Sequence, residues 1–139
     1  MLGSPVKTKA FITASGFSGC GMCSFETTMA TAGGLHNKVA FYPWYRDKNN
    51  NVQIIMLQEK GAFLLKQKSG GVIVAKDKYH TPISVAQFYK VRAEYDGTYL
   101  KLNIDDVQAI KIATTARPFG SAAYFVKSTI AGFGYIEVK

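Results

Sequence analysis

The sequence predicts an all-β protein made of antiparallel strands. Three observations predict it. Short apolar–polar alternation recurs along the whole chain, turn-forming residues punctuate it at close intervals, and helical periodicity is almost absent. Residues 91–113, "VRAEYDGTYLKLNIDDVQAIKIA", show the pattern. Val91, Ala93 and Tyr95 alternate with Arg92 and Glu94; Leu100, Leu102 and Ile104 alternate with Lys101 and Asn103. Asp96-Gly97 separates the two runs, and glycine accepts the positive φ that a tight hairpin turn demands.

Read in order, the strands fall at 6–14, 23–32, 37–46, 52–58, 62–67, 71–76, 87–95, 98–104, 108–114, 121–127 and 131–138. Gly33-Gly34, Asp47 to Asn51, Lys60-Gly61, Ser69 to Gly71, Asp96-Gly97 and Asp105-Asp106 supply the turns between them. Strands this closely spaced leave no room for helical crossovers, so the sheets are antiparallel, as in a sandwich or barrel. Residues 81–89, "TPISVAQFY", have enough helical spacing for a turn or two but read best as a loop. "VQIIML" and "AFLL" are apolar on both faces and belong centrally or beneath a cover; 90–95 and 98–104 alternate cleanly, with one wet face.

A chain of 139 residues with 47% hydrophobic and 19% charged side chains fits one globular domain rather than disorder. Residues 6–139 are expected to form it, with 1–5 a tag or disordered start. No apolar run approaches the roughly 20 residues of a spanning helix. The net charge is +8, with 8 basic and 3 acidic residues in 1–70 and 9 and 6 in 71–139. No block of five like charges appears, so nucleic acid is not the expected partner.

Three stretches resemble a known family. "KVAFYPWYRDKNNNVQIIMLQEKGAFLLKQKSGGVIVA" is similar to the middle of a concanavalin A-like jelly roll of the laminin-G and lectin type. It has an apolar strand ending in an aromatic and Arg, an Asp/Asn-rich turn, a further strand, a hairpin and a Gly turn. "FYKVRAEYDGTYLKLNIDDVQAIKI" resembles the family's central hairpin, and "ARPFGSAAYFVKSTIAGFGYIEVK" its closing strands. The resemblance covers residues 22–139 and implies an antiparallel two-sheet jelly-roll sandwich of about ten strands. Two departures stand out: Ile104-Asp105-Asp106 lacks the usual Gly, and Phe133-Gly134-Tyr135 replaces a common aromatic-Asp-Asp/Asn string.

Glycosidases of this fold carry their carboxylates on alternate residues of one strand, and Glu26, Glu59, Glu94 and Glu137 are scattered. No catalytic residues are assigned and the expectation is not an enzyme. His36 and His80 each sit beside a turn, without ligand-spaced neighbours. Cys20 and Cys23 form a lone C-x-x-C, open to two reduced thiols, to a short local disulfide, or to redox or metal work; one pair cannot complete a zinc site. Asp47, Asn49, Asn50 and Asn51 offer oxygens for calcium, though a set with one carboxylate is thin and reads first as a turn. No cofactor is expected.

The polar faces remain. Arg92, Lys101 and Asn103 point out of one hairpin; in another, pairing Arg46 with Val52 places Tyr45 opposite Gln53 and leaves Trp44 in the core, whereas a one-residue slip exchanges the two aromatics. An aromatic beside amide and guanidinium groups suits a sugar, whose C–H face stacks and whose hydroxyls donate and accept. The expected protein is a non-catalytic binding module, secreted or extracytoplasmic and bacterial, free-standing or part of a larger protein. Trp44 or Tyr45 stacks on carbohydrate while Gln53, Arg92, Lys101 and Asn103 hydrogen-bond it. The rivals are a protein-interaction sandwich without a small ligand and a basic surface for polyanions.

Overall fold

A computed structural model describes residues 2–13, 24–34, 36–134 and 137–138. Among them there is no helix and there are eleven strands. They are β1 (Leu2–Thr13), β2 (Ser24–Thr31), β3 (Lys38–Asp47), β4 (Asn50–Leu57), β5 (Ala62–Ser69), β6 (Val72–His80), β7 (Tyr89–Tyr95), β8 (Tyr99–Ile104), β9 (Val107–Ala113), β10 (Ser121–Phe133) and β11 (Glu137–Val138). The chain is an all-β jelly-roll sandwich of two antiparallel sheets.

Hydrogen bonding runs unbroken in the order β6-β5-β4-β3-β10-β2-β7-β8-β9, because β10 serves both layers. Its first half pairs with β3, from Ser121↔Tyr45 to Lys127↔Lys38. Its last residues, Ala131 to Phe133, pair with β2. β1 lies along the other edge of β10 from Leu2↔Phe133 to Thr13↔Ala123, and β11 joins β2. Two corrections follow. β10 is one strand where a break near residue 128 was expected, because β1 supports it along its length. Residues 2–5, expected outside the domain, lie within β1.

The alternation of each strand builds the core. Val39, Phe41, Ile54, Met56, Phe63 and Leu65 from one layer meet Phe25, Met29, Val91, Leu100, Leu102 and Ile110 from the other. Phe25 packs edge-on against Trp44 with ring centroids 5.1 Å apart, and Phe63 does the same against Tyr89 at 5.7 Å. Trp44 and Phe41 are fully buried, a placement that stabilises by about 2–3 kcal/mol per large side chain.

The turns follow their residues. Ile104 pairs with Val107, so Asp105 and Asp106 form a two-residue loop, and both carry positive φ (49° and 68°). Asp tolerates that region better than most non-glycine residues, which is how this hairpin manages without the family's Gly. Gly134 explains the other departure. Its amide donates to the Thr28 carbonyl at 2.9 Å, and a Cβ there would lie 2.1 Å from Thr28 Oγ1.

Candidate functional site

Pro43 shapes the most distinctive surface. It lies inside β3, between two hydrogen-bonded neighbours, and has no N–H to give the ladder. The strand bulges there. From Phe41↔Ile54 to Trp44↔Val52, β3 advances by three residues while β4 advances by two, and β10 shows the same slip between Ala123↔Tyr42 and Ser121↔Tyr45. The extra residue reverses the parity of the strand. Trp44 turns into the core, while Tyr42 and Tyr45, three apart in sequence, share the outer face. Their rings meet edge to face at 5.4 Å and 89°.

Around the two tyrosines is an open depression of about 340 Å³ on the outer face of β3, β4, β5 and β10. Cross-strand pairing lays out its floor: Tyr45 faces Asn51, which faces Lys68, and Gln53 faces Lys66. Asn51 and Gln53 are nearly buried. Gln53 Nε2 donates to Asn51 Oδ1 at 3.2 Å, and Asn51 Nδ2 donates to the Asp47 carbonyl at 3.0 Å. Phe125 and Lys38 close one end, with the Lys38 ammonium 5.3 Å from the ring centroid; Lys48 stands at the other. Beneath, Ala40, Ile55, Leu64 and Ala123 form a second apolar cluster with Tyr42, the use made of strands apolar on both faces.

Burial, with a smaller effect from Tyr45, pushes the Tyr42 hydroxyl up to about 12, so it stays protonated and can donate. The Lys66 ammonium is pulled below its ordinary value by desolvation and then by Lys68 and Lys76. None of the described lining residues is acidic.

A short loop fixes the Tyr45 end. Gln67, buried on the inner side of β5, donates to the Ala116 carbonyl at 2.9 Å and accepts from Thr114 Oγ1 at 2.5 Å. This holds residues 114–120 against β3, where the Arg46 guanidinium stacks 5.1 Å from the Phe119 ring. Gly120 touches the strand so closely that a Cβ would lie 2.4 Å from the Tyr45 carbonyl carbon.

The expected site residues do not assemble into one site. Tyr45 and Gln53 line this depression, with Tyr45 opposite Asn51 rather than Gln53 because the hairpin closes tightly at Asp47↔Asn50 and the register slips between Asp47 and Tyr45. Trp44 is 0% exposed in the core and has no surface to offer a ligand, which corrects its assignment to binding. Arg92, Lys101 and Asn103 lie on the outer face of the other sheet, across the thickness of the sandwich, which corrects the grouping. There Arg92 pairs with Glu94 at 3.6 Å and Lys101 with Asp96 at 3.0 Å. Asp96 also accepts from the amides of Tyr99 and Thr98, and with Lys101 these hold its carboxyl at about 2.

Sequence reading missed Lys38, Tyr42, Lys48, Lys66, Lys68 and Phe125. The period-two pair Lys66-x-Lys68 and the proline inside a strand were the available signals. In the Asp47–Asn51 loop, Asp47 Oδ1 accepts from the Asn49 amide at 2.8 Å and from Asn50 Nδ2 at 3.1 Å, which holds that carboxyl below its usual range. Asn50 Oδ1 accepts from the Gly70 amide. These oxygens are engaged in shaping a turn. Cys20 and Cys23 lie outside the described residues.

The two layers and their strand order form a jelly-roll sandwich, and the chain shares this fold with solved structures of low sequence identity. The carbohydrate binding module CBM66 from Bacillus subtilis superposes with a TM-score of 0.80 at 20% identity, over 99% of this chain and 85% of that one. A Bacillus licheniformis β-glucanase aligns at 0.73 and 12%, over 94% and 77%. A Caenorhabditis elegans galectin aligns at 0.62 and 13%, over 94% of each. No family model matches the sequence, and no curated relative matches it.

Proposed function

We propose that this protein is a non-catalytic carbohydrate-binding module whose ligand lies across the outer face of β3, β4, β5 and β10. One observation carries the reading: an open depression edged by the Tyr45 and Phe125 rings and floored by the Asn51 and Gln53 amides. Rings accept the C–H face of a sugar, and amides both donate to and accept from its hydroxyls. The fold is shared by a carbohydrate binding module and a galectin as well as a β-glucanase, so the fold leaves catalysis open and the site must decide it. Glycoside cleavage needs two carboxylates flanking one linkage, and the described residues lining this depression include none. Such a module would meet polysaccharide outside the cytoplasm, and among the described residues no helix is long and apolar enough to cross a membrane.

A glycan array followed by titration calorimetry tests the proposal. Tyr45→Ala should weaken the best ligand about tenfold, the value of one aromatic stack. Arg92→Ala and Asn103→Ala, on the opposite face, should leave it unchanged. Retention of no glycan, or binding indifferent to Tyr45 and Phe125 together, overturns the reading; stable oligomers in light scattering without glycan binding would point to an interaction module instead.

A further inference from the structure

We propose that the glycan taken by this face is acidic, an oligosaccharide bearing carboxylate or sulfate groups that Lys66 and Lys68 read while Tyr45 stacks. The inference rests on the carbohydrate reading above and adds the chemical class of the sugar. Four lysines, Lys38, Lys48, Lys66 and Lys68, line a depression with no acidic side chain among its described lining residues. Lys66 and Lys68 project from the same face of β5, and their cross-strand neighbours on β4 are the neutral amides Gln53 and Asn51. On β6 the residue opposite Lys66 is another cation, Lys76. Like charges directly opposite one another destabilise a sheet, so the folded protein carries a local excess of positive potential on this face. Its effect on Lys66 is visible, because Lys68 and Lys76 add to desolvation in disfavouring the ammonium. None of the ion pairs among the described residues involves Lys48, Lys66 or Lys68. An anionic ligand supplies the missing countercharge and gains charge-assisted hydrogen bonds from partly desolvated ammonium groups.

A polyanion other than a glycan fits less well. The lining cations among the described residues are all lysine, point charges that attract carboxylate, sulfate and phosphate alike, so the neutral floor makes the distinction. The amide floor offers neutral partners suited to hydroxyls, which a glycan has at every residue.

The full-length chain is screened on an array holding uronate-containing, sulfated and neutral glycans. The tightest binder is then titrated at several salt concentrations beside a single-stranded oligonucleotide. The expected tightest binder is acidic. Carboxylated and sulfated arms of the array identify which anion Lys66 and Lys68 read. Lys66→Gln with Lys68→Gln should weaken that glycan at least about tenfold and flatten its salt dependence. Lys90→Gln with Lys101→Gln, the same charge change on the opposite face, should change affinity less than about twofold. If a neutral glycan binds tightest, or the Lys66/Lys68 variant binds the acidic glycan unchanged, the acidic assignment falls while the carbohydrate reading stands. If no glycan binds, both fall. Tighter binding of the oligonucleotide than of any glycan overturns the assignment in favour of nucleic acid.

Discussion

The two outer faces of the sandwich both carry cations but arrange them differently. On the β7–β8 face, Arg92 has Glu94, Lys101 has Asp96 and Lys90 reaches Asp106 at 2.7 Å, while Lys111, which stands opposite Lys101, sits 4.4 Å from the Tyr99 ring centroid. On the β4–β5 face, lysines stand opposite amides and other lysines. In the first arrangement acidic groups on the same strand and in the flanking turns sit beside three of the cations, which limits the field that extends into solvent. The second leaves a field that a partner can use. The contrast is between charge largely compensated by neighbouring acids and charge concentrated beside the partly exposed Tyr45 and Phe125 rings.

Several substitutions would break or sharpen that contrast. The largest effect belongs to the core beneath both faces. Trp44→Ala should cost about 3–5 kcal/mol in chemical denaturation, the usual consequence of removing a fully buried aromatic. A loss under about 1 kcal/mol would show that Trp44 is not the inward residue of the bulge and would reopen it as a ligand contact.

Gly120→Ala should come next. The added Cβ meets the Tyr45 backbone at 2.4 Å, and φ is +121°, where an L side chain is strained, so a loss of about 2–3 kcal/mol is expected. Because the strand that moves carries Tyr45, glycan affinity should fall in parallel. Unchanged affinity would separate the loop from the site.

Smaller effects separate the two faces by sign. Lys66→Gln removes an ammonium whose neighbours disfavour it. A folded-state pKa below the unfolded one means that the protonated form opposes folding, and the opposition fades as pH rises through the folded value. The variant should therefore be more stable at neutral pH by about 0.3 kcal/mol, and the gain should shrink with added salt. Lys101→Gln should act in the opposite direction, and equal signs would remove the contrast.

Asp96 supplies the pH limb. Its folded pKa of about 2 lies below the ordinary carboxylate value, so its contribution is complete above about pH 4 and disappears as pH falls through 2. Asp96→Asn should flatten acid unfolding within that window and leave the Lys66 effect at neutral pH untouched.

Much of the fold was legible because it is local. The β7–β8 hairpin pairs Tyr95 with Leu100 and Val91 with Ile104, as alternation on either side of Asp96-Gly97 implies, and Asp105-Asp106 is a turn. The site was legible only in fragments. Tyr45 and Gln53 do line the depression, but the partner of Tyr45 depends on a tight closure at Asp47↔Asn50 and a register slip beside it, and pairing Arg46 with Val52 assumes neither. Arg92, Lys101 and Asn103 were correctly placed on a wet face, but alternation does not say which wet face adjoins which. That depends on which strands lie side by side, a long-range property. Continuous β10 is a similar case, since its support comes from β1, more than a hundred residues earlier in the chain.

That shared strand also bears on how the chain reaches its native state. β3 and β2 are both left with a bare edge until β10, which follows both in the chain, arrives between them. Assembly of the two layers must therefore wait until β10 has been synthesised, as expected for topologies dominated by distant pairings. Until then, the open strand edges would be exposed to neighbouring nascent chains, making intermolecular strand addition the characteristic route of misassembly.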